Sequence, residues 1–341
     1  MKNLQKNNPT IGAQSYPLVD RVSDNELYVY DTKPLNIPAS QSGPADYAFY
    51  DREQDKLVII PNGTDLSLVS TERYVPIGVV VVPGAHDVYG DGSCGVMSLK
   101  SMNCDTPSTG STSEQNMYWG SYSTNISGLP DLDQVPTGNT SDGIPTGQHS
   151  YGYLPSDRFR ITQCAHDTDA YYNYSPYYIP SPYLTDGSRN PGYYQTTSPS
   201  SSNNCLADFD GRGNTNKIIT ERGAKDYNSW TPHSKSDGDY PAASCCDMFH
   251  TEGTQQGDWY LPAMGELGYI MPPSNKINDA INRMITAYGS FVGVELDTTG
   301  RTYYSSTEYS SNDVRGVNTN GGYIADSSKR GGLVRAFTRI K

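Results

Sequence analysis

The clearest periodicity in the chain runs from Asn275 to Tyr288, where Ile277, Ala280/Ile281, Met284/Ile285 and Tyr288 recur three or four residues apart. That spacing lays one apolar stripe along a helix. Ser274 stands where a helix takes its N-cap and Gly289 just past its end, so the pattern predicts a helix over 275–288. Upstream lies the stretch around which the chain is organised, Gly257–Leu267. Trp259, Tyr260 and Leu261 demand burial, Pro262 suits a first helical turn, and Met264, Leu267 and Ile270/Met271 keep helical spacing. Pro272 and Pro273 stop that helix by removing amide donors and clashing with the preceding turn.

Strand signals sit towards the two ends. Tyr74–Pro83 is the longest apolar run, β-branched and bracketed by proline, and reads as a central strand buried on both faces. Gly332–Ile340 alternates like a strand with one wet face. The two are expected to pair antiparallel, with everything between them looped out from one edge. Shorter pieces at Glu26–Tyr30, Tyr47–Tyr50 and Lys56–Ile60, separated by turn residues, predict a small all-β module over 16–72. A polar arm over 1–15 precedes it. Further helices are expected at Asn216–Arg222 and Pro241–Phe249. Asp208–Asn214 resembles an oxygen-ligand loop but lacks the further carboxylates and terminal glutamate of a calcium hand, so it reads as a tight turn feeding a helix.

Composition changes the picture in one respect: with 28 tyrosines, 33 glycines and 23 prolines against 35% apolar residues, tyrosine must carry much of the packing. The Gly/Ser/Thr/Tyr/Pro-rich region at about 105–204 is expected to form ordered, tyrosine-packed loops rather than disorder. A net charge of -12 with no basic run argues against nucleic acid or an anionic membrane surface as partner. No apolar run approaches membrane-spanning length, and Met1–Gln5 carries no apolar h-region, so no membrane insertion is expected and the chain is expected to fold in a cytosol.

Candidate chemistry is sparse. The six cysteines show no CxxC spacing and read as free buried thiols. The five histidines are scattered, and His166-Asp167 has no second His-Asp element at a matching distance. Gly211-x-Gly213 does not follow a strand in the manner of a phosphate loop. Glu266 and Glu308 are the candidates for an acid/base pair, but glycosidase chemistry needs two carboxylates at a fixed separation across a cleft. No catalytic residue, metal ligand or cofactor is assigned.

Tyr240–Ala243, Thr251–Leu267, Tyr304–Ser310 and Val334–Phe337 together resemble a bacterial and phage branch of the C-type-lectin-like domains. That branch is related in fold to the formylglycine-generating enzymes and to the lectin-like tip of a bacterial collagen-like adhesin. Pro76–Val81 and Ile179–Asn190 resemble virion proteins of gut phages, crAss-like phages among them. The likeness covers residues 73–341 and is most specific in the last hundred. It implies an α+β fold: a C-type-lectin-like domain with a twisted antiparallel sheet, two flanking helices, long loops, and first and last strands paired, preceded by the small all-β module.

By position, the resemblance implies ligand contacts at Tyr303, Tyr304, Ser306, Glu308, Tyr309, Asn312, Asp313, Arg315, Asn318 and Asn320. Rigid rings and short amides suit recognition at small entropy cost; alternatively, Tyr304, Ser306 and Glu308 complete the core and cap a turn. The Glu-Pro-Asn or Gln-Pro-Asp triplet and the Trp-Asn-Asp of calcium-dependent lectins are missing, so calcium-mediated sugar binding is not implied. Cys245 and Cys246 adjoin on an expected helix, where successive side chains diverge by about 100 degrees, unlike the copper-handling cysteine pair of the oxidases. The resemblance implies a structural protein of a tailed-phage virion, a head-fibre, tail-fibre or capsid-decoration subunit assembled in the host cytoplasm. Its N-terminal region would hold other capsid or fibre proteins, a homotrimer would form, and the lectin-like domain would face a host-surface glycan or protein. The alternatives are a bacterial cell-surface adhesin, which requires an export signal, and a carbohydrate-active hydrolase.

Overall fold

A computed structural model describes residues 10–11, 14–15, 36–86, 89–123, 125–126, 129, 208–222, 240–270, 274–318 and 323–341. Ten strands are described: β1 (Thr10–Ile11), β2 (Gln14–Ser15), β3 (Tyr47–Asp51), β4 (Lys56–Ile60), β5 (Tyr74–Val82), β6 (Cys94–Ser98), β7 (Thr302–Glu308), β8 (Asp313–Asn318), β9 (Tyr323–Ser328) and β10 (Phe337–Ile340). The helices are α1 (Gly211–Arg222), α2 (Pro241–Met248), α3 (Met264–Leu267) and α4 (Ser274–Tyr288). The class is α+β with antiparallel sheets.

The main sheet has five strands in the order β10-β6-β5-β3-β4, and β7-β8-β9 form a separate three-stranded meander. The period-two rule of strands sorts the main sheet's side chains onto two cores. Tyr47, Phe49, Val58, Ile60, Val79 and Val81 face one side, where they meet Ile277, Ala280, Ile281 and Met284 of α4. Ala48, Ile59, Val80 and Val96 face the other, with Ala242, Ala243, Cys245 and Cys246 of α2 and the Trp119 and Trp259 indoles. β5 is thus buried on both faces, as its unbroken apolar run requires.

Two expectations are corrected here. The last strand does not pair with β5: it is confined to Phe337–Ile340 and pairs with β6, from Phe337↔Met97 to Ile340↔Cys94. β5 in turn pairs with β6 on one side and β3 on the other. The β6 run Cys94–Ser98 holds only two large apolar residues and two small ones, so it gave no strand signal. Just before β10, Gly332 bridges to Met117 and Leu333 to Tyr303 of β7, while the Val334 and Ala336 carbonyls accept from Met102 and Ser98 N–H.

The second concerns the boundary expected at 72/73. β3 and β4 belong to the same sheet as β5, β4 at its edge and β3 between β4 and β5, with β3 and β4 in register from Tyr47↔Ile60 to Asp51↔Lys56. A two-stranded hairpin buries too little to stand alone, and β5 supplies the neighbour it lacks. Of the expected arm, β1 and β2 form a two-residue antiparallel ladder. The strand expected at Glu26–Tyr30 and most of the 105–204 region lie outside the described residues.

The organising stretch closes the sheet edge. Trp259, Tyr260 and Leu261 are buried, and Tyr260 exchanges both backbone hydrogen bonds with Phe337 at 2.9 Å. The short α3 that follows begins at Ala263, which has no side-chain acceptor, so its first amides are satisfied from elsewhere. Ala263 N–H donates to Glu266 Oε2 (2.9 Å) and Met264 N–H to Thr307 Oγ1 (2.9 Å). Gly265 N–H donates to the Asp208 carbonyl (2.7 Å). Helix start, β7 and the turn before α1 are thereby locked to one another. α4 spans the predicted helix, and Gly289 ends it at φ +103.

Candidate functional site

Of the ten residues implied as ligand contacts, six are buried: Tyr303, Tyr304, Ser306, Glu308, Arg315 and Asn318. Each serves an internal network. Tyr303 donates its hydroxyl to Glu114 Oε1 (2.7 Å) and accepts from Asp297 N–H (2.7 Å). Tyr304 donates to the Ser328 carbonyl (2.5 Å) and accepts from Gly331 N–H (2.6 Å). Ser306 Oγ accepts from Asn214 Nδ2 (3.2 Å), and Asn318 Nδ2 donates to the Gly300 carbonyl (2.7 Å). The Arg315 guanidinium lies 3.8 Å above the Tyr309 ring. Tyr304, Ser306 and Glu308 are thus buried and bonded internally, the placement that core and turn roles require. Tyr309, Asn312 and Asp313 are half-buried; Asn312 Oδ1 accepts from Ser123 N–H and Oγ, both at 3.1 Å. Asn320 lies outside the described residues.

The carboxylates considered for acid/base chemistry occupy separate buried networks. Glu308, 1% exposed, pairs with the fully buried Lys329 ammonium, which sits 4.9 Å from the Trp119 ring centre. Its second oxygen accepts from Ile126 N–H (3.0 Å). Glu266 accepts from Tyr89 and Tyr260 hydroxyls, both at 2.8 Å, with Arg339 Nη2 at 3.5 Å. Burial raises the Glu266 pKa and outweighs the opposing pull of Arg339, because the carboxylate is wholly buried while the guanidinium is about a quarter exposed. Arg335, fully buried, donates to Glu114 and to the carbonyls of Ser98, Leu99, Val294 and Glu295. These groups staple loops to the sheet; no cluster of three or more candidate metal ligands occurs among the described residues.

An open site lies elsewhere, in a groove of about 360 Å³ where the start of β5 meets the end of α4 and the loop after α2. Tyr74, Ile77, Leu99 and Phe249 form its buried floor and Tyr288 its half-buried wall. Phe291 forms a lip 72% exposed to solvent. The φ +103 turn at Gly289 sets that lip: a Cβ there would stand 2.7 Å from the Phe291 ring, so glycine lets the ring lie across the helix end.

The rest of the rim is polar. Arg52 forms a two-pronged pair with Glu252 (Nε–Oε1 2.6 Å, Nη2–Oε2 2.7 Å) and donates to the Thr71 and Glu72 carbonyls (3.1 and 2.9 Å). A fork held at both ends is preorganised despite its exposure. Each partner holds the other charged: the Arg52 pKa is raised by Glu252 and that of Glu252 lowered by Arg52. His250 and Lys100 complete the rim. The site has little signature in the sequence because its members come from six separated segments, at 52, 71–77, 99–100, 109, 249–252 and 288–292; the one local signal is Phe291, an aromatic just beyond a helix end with no place in the helical stripe.

No family model matches the chain, and no curated protein matches it either. Among solved structures, the chain is similar to a fimbrial protein from Bacteroides ovatus ATCC 8483, with 16% sequence identity and a TM-score of 0.41. The match covers 86% of this chain and 48% of the other, so the chain spans about half the length of the protein it matches.

Proposed function

We propose that this chain is a non-catalytic recognition subunit of a displayed assembly, a fibre or decoration protein of a tailed-phage virion whose lectin-like domain binds a host-surface glycan. The observation that carries the reading is the groove: an exposed aromatic, Phe291, and a preorganised Arg52–Glu252 fork line the same site together with buried apolar side chains. A sugar ring presents an apolar C–H face and a rim of hydroxyls. Phe291 suits the first, and the Arg52, Glu252 and His250 groups suit the second. The buried networks around Glu308, Glu266 and Arg335 support the non-catalytic part of the reading, since each carboxylate is held in its own internal network and none lines the groove. Attachment to other virion proteins through the N-terminal region, and a homotrimer, belong to this proposal.

A bacterial cell-surface adhesin is the second reading. It is favoured by the 3.9 Å approach of the Cys104 and Cys245 sulfurs, since cysteine pairs serve as crosslinks mainly in exported proteins. The test is binding of the purified full-length protein to a glycan array and to intact gut bacteria, beside Phe291→Ala and Arg52→Ala. Retention on a defined glycan, lost in both variants at unchanged melting temperature, supports the site. Retention that neither variant alters sinks it.

A further inference from the structure

Cys104 and Cys245 are 141 residues apart in sequence, yet their sulfurs stand 3.9 Å from each other. Cys104 is half-buried in the turn after β6, whose Asn103 side chain accepts from Asp105 N–H at 2.8 Å. Cys245 is buried on α2. Both carriers are held in place: Met102 N–H donates to the Val334 carbonyl (2.9 Å) and His250 N–H to the Ser108 carbonyl (3.1 Å). The two sulfurs need to close by about 2 Å to reach bonding distance.

We propose that Cys104 and Cys245 form a disulfide when the protein meets an oxidising environment, and that the bond clamps one wall of the groove. The two segments it joins carry Thr109 on one side and Phe249, His250 and Thr251 on the other, all groove-lining. A small-molecule disulfide such as oxidised glutathione is the oxidant. The more accessible Cys104 thiolate attacks one glutathione sulfur, forming a mixed disulfide and releasing one glutathione thiolate. The Cys245 thiolate then attacks the Cys104 sulfur, releasing the second. Two protein thiols lose two electrons, one glutathione disulfide becomes two glutathione thiols, and the two protons pass to them. Burial raises the Cys245 pKa, so the second step quickens as pH rises. The bond is independent of the glycan reading and would form in a protein that binds nothing.

The test incubates the full chain with oxidised or reduced glutathione at pH 8, quenches in acid, unfolds, alkylates the remaining thiols, and maps peptides by mass spectrometry. The expected result is two fewer alkylated thiols, a crosslinked peptide joining Cys104 to Cys245, and a melting temperature raised by about 5 °C, reversed by reductant. Cys104→Ser should abolish both the crosslink and the shift. Cys245→Ala should stall at glutathione on Cys104, which shows the order of attack even if the buried substitution costs stability. A crosslink to Cys94, Cys164, Cys205 or Cys246 in its place, or wild type stalled at the mixed disulfide, would overturn the proposal.

Discussion

Glu308 is the residue on which a ligand-contact role and a structural role diverge most, so Glu308→Gln separates them. The change keeps the shape and leaves an acceptor for Ile126 N–H, but it removes the charge facing Lys329, whose side chain is 0% exposed and whose ammonium lies under Trp119. Removing one partner of a buried pair costs about 3–5 kcal/mol, because the other charge is left desolvated and uncompensated. For a chain of 341 residues that corresponds to a fall in melting temperature of about 4–7 °C. The assay is urea unfolding with unchanged slope, beside the double variant Glu308→Leu/Lys329→Met. Replacing both ions by apolar groups of similar volume should recover most of the loss. A Glu308→Gln variant within about 0.5 kcal/mol of wild type, the scale of an ordinary surface substitution, would refute the structural assignment, as would loss of glycan binding at unchanged stability.

Other outcomes follow from the same geometry. Asp208 is fully buried, and burial outweighs its Thr307, Asn214 and Asp210 donors to push its pKa up to about 7. Since the folded pKa lies above the unfolded value of about 4, its stabilising contribution is complete below about pH 4 and is lost as pH rises through about 7. Unfolding midpoints should therefore fall between pH 5 and 8 less steeply in Asp208→Asn than in wild type, and equal slopes would remove Asp208 from the account. Gly253 holds φ +82, and a Cβ there would stand 2.1 Å from the Tyr50 ring. Gly253→Ala should cost about 2–4 kcal/mol by urea unfolding, and a neutral result would contradict the placement of the loop that carries Glu252. For assembly, full-length protein should sediment as a trimer, and a chain starting at Asn36, which keeps β3 and β4 in the sheet, as a monomer. A trimer in both would move the interface into the sheet domain.

What the sequence disclosed was what periodicity encodes. The stripe from Ile277 to Tyr288, the run of valines in β5 and the burial of Trp259–Leu261 all follow from local spacing, and all three are where the pattern puts them. What it hid was long-range pairing. β6 has too little apolar content to advertise a strand, so the partner of Phe337–Ile340 was misassigned. β3 and β4 looked like a separate module because nothing in 47–60 shows that Tyr47 lies opposite Val79. Tyr303, Tyr304 and Ser306 carry the composition of a binding surface, but a tyrosine with both roles of its hydroxyl satisfied internally is indistinguishable in sequence from one facing water. The groove was invisible for the same reason, its rim joining Arg52 to Glu252 across 200 residues.

The central claim is that the Phe291 groove recognises a glycan, and the most direct measurement is the dissociation constant of full-length protein for an array-identified glycan, wild type against Phe291→Ala. An aromatic lip 72% exposed contributes little to folding, so the variant should melt with wild type, yet it should bind at least about tenfold more weakly, roughly 1.4 kcal/mol of lost contact. Equal affinity in the two proteins would contradict the account and move recognition to another face of the molecule.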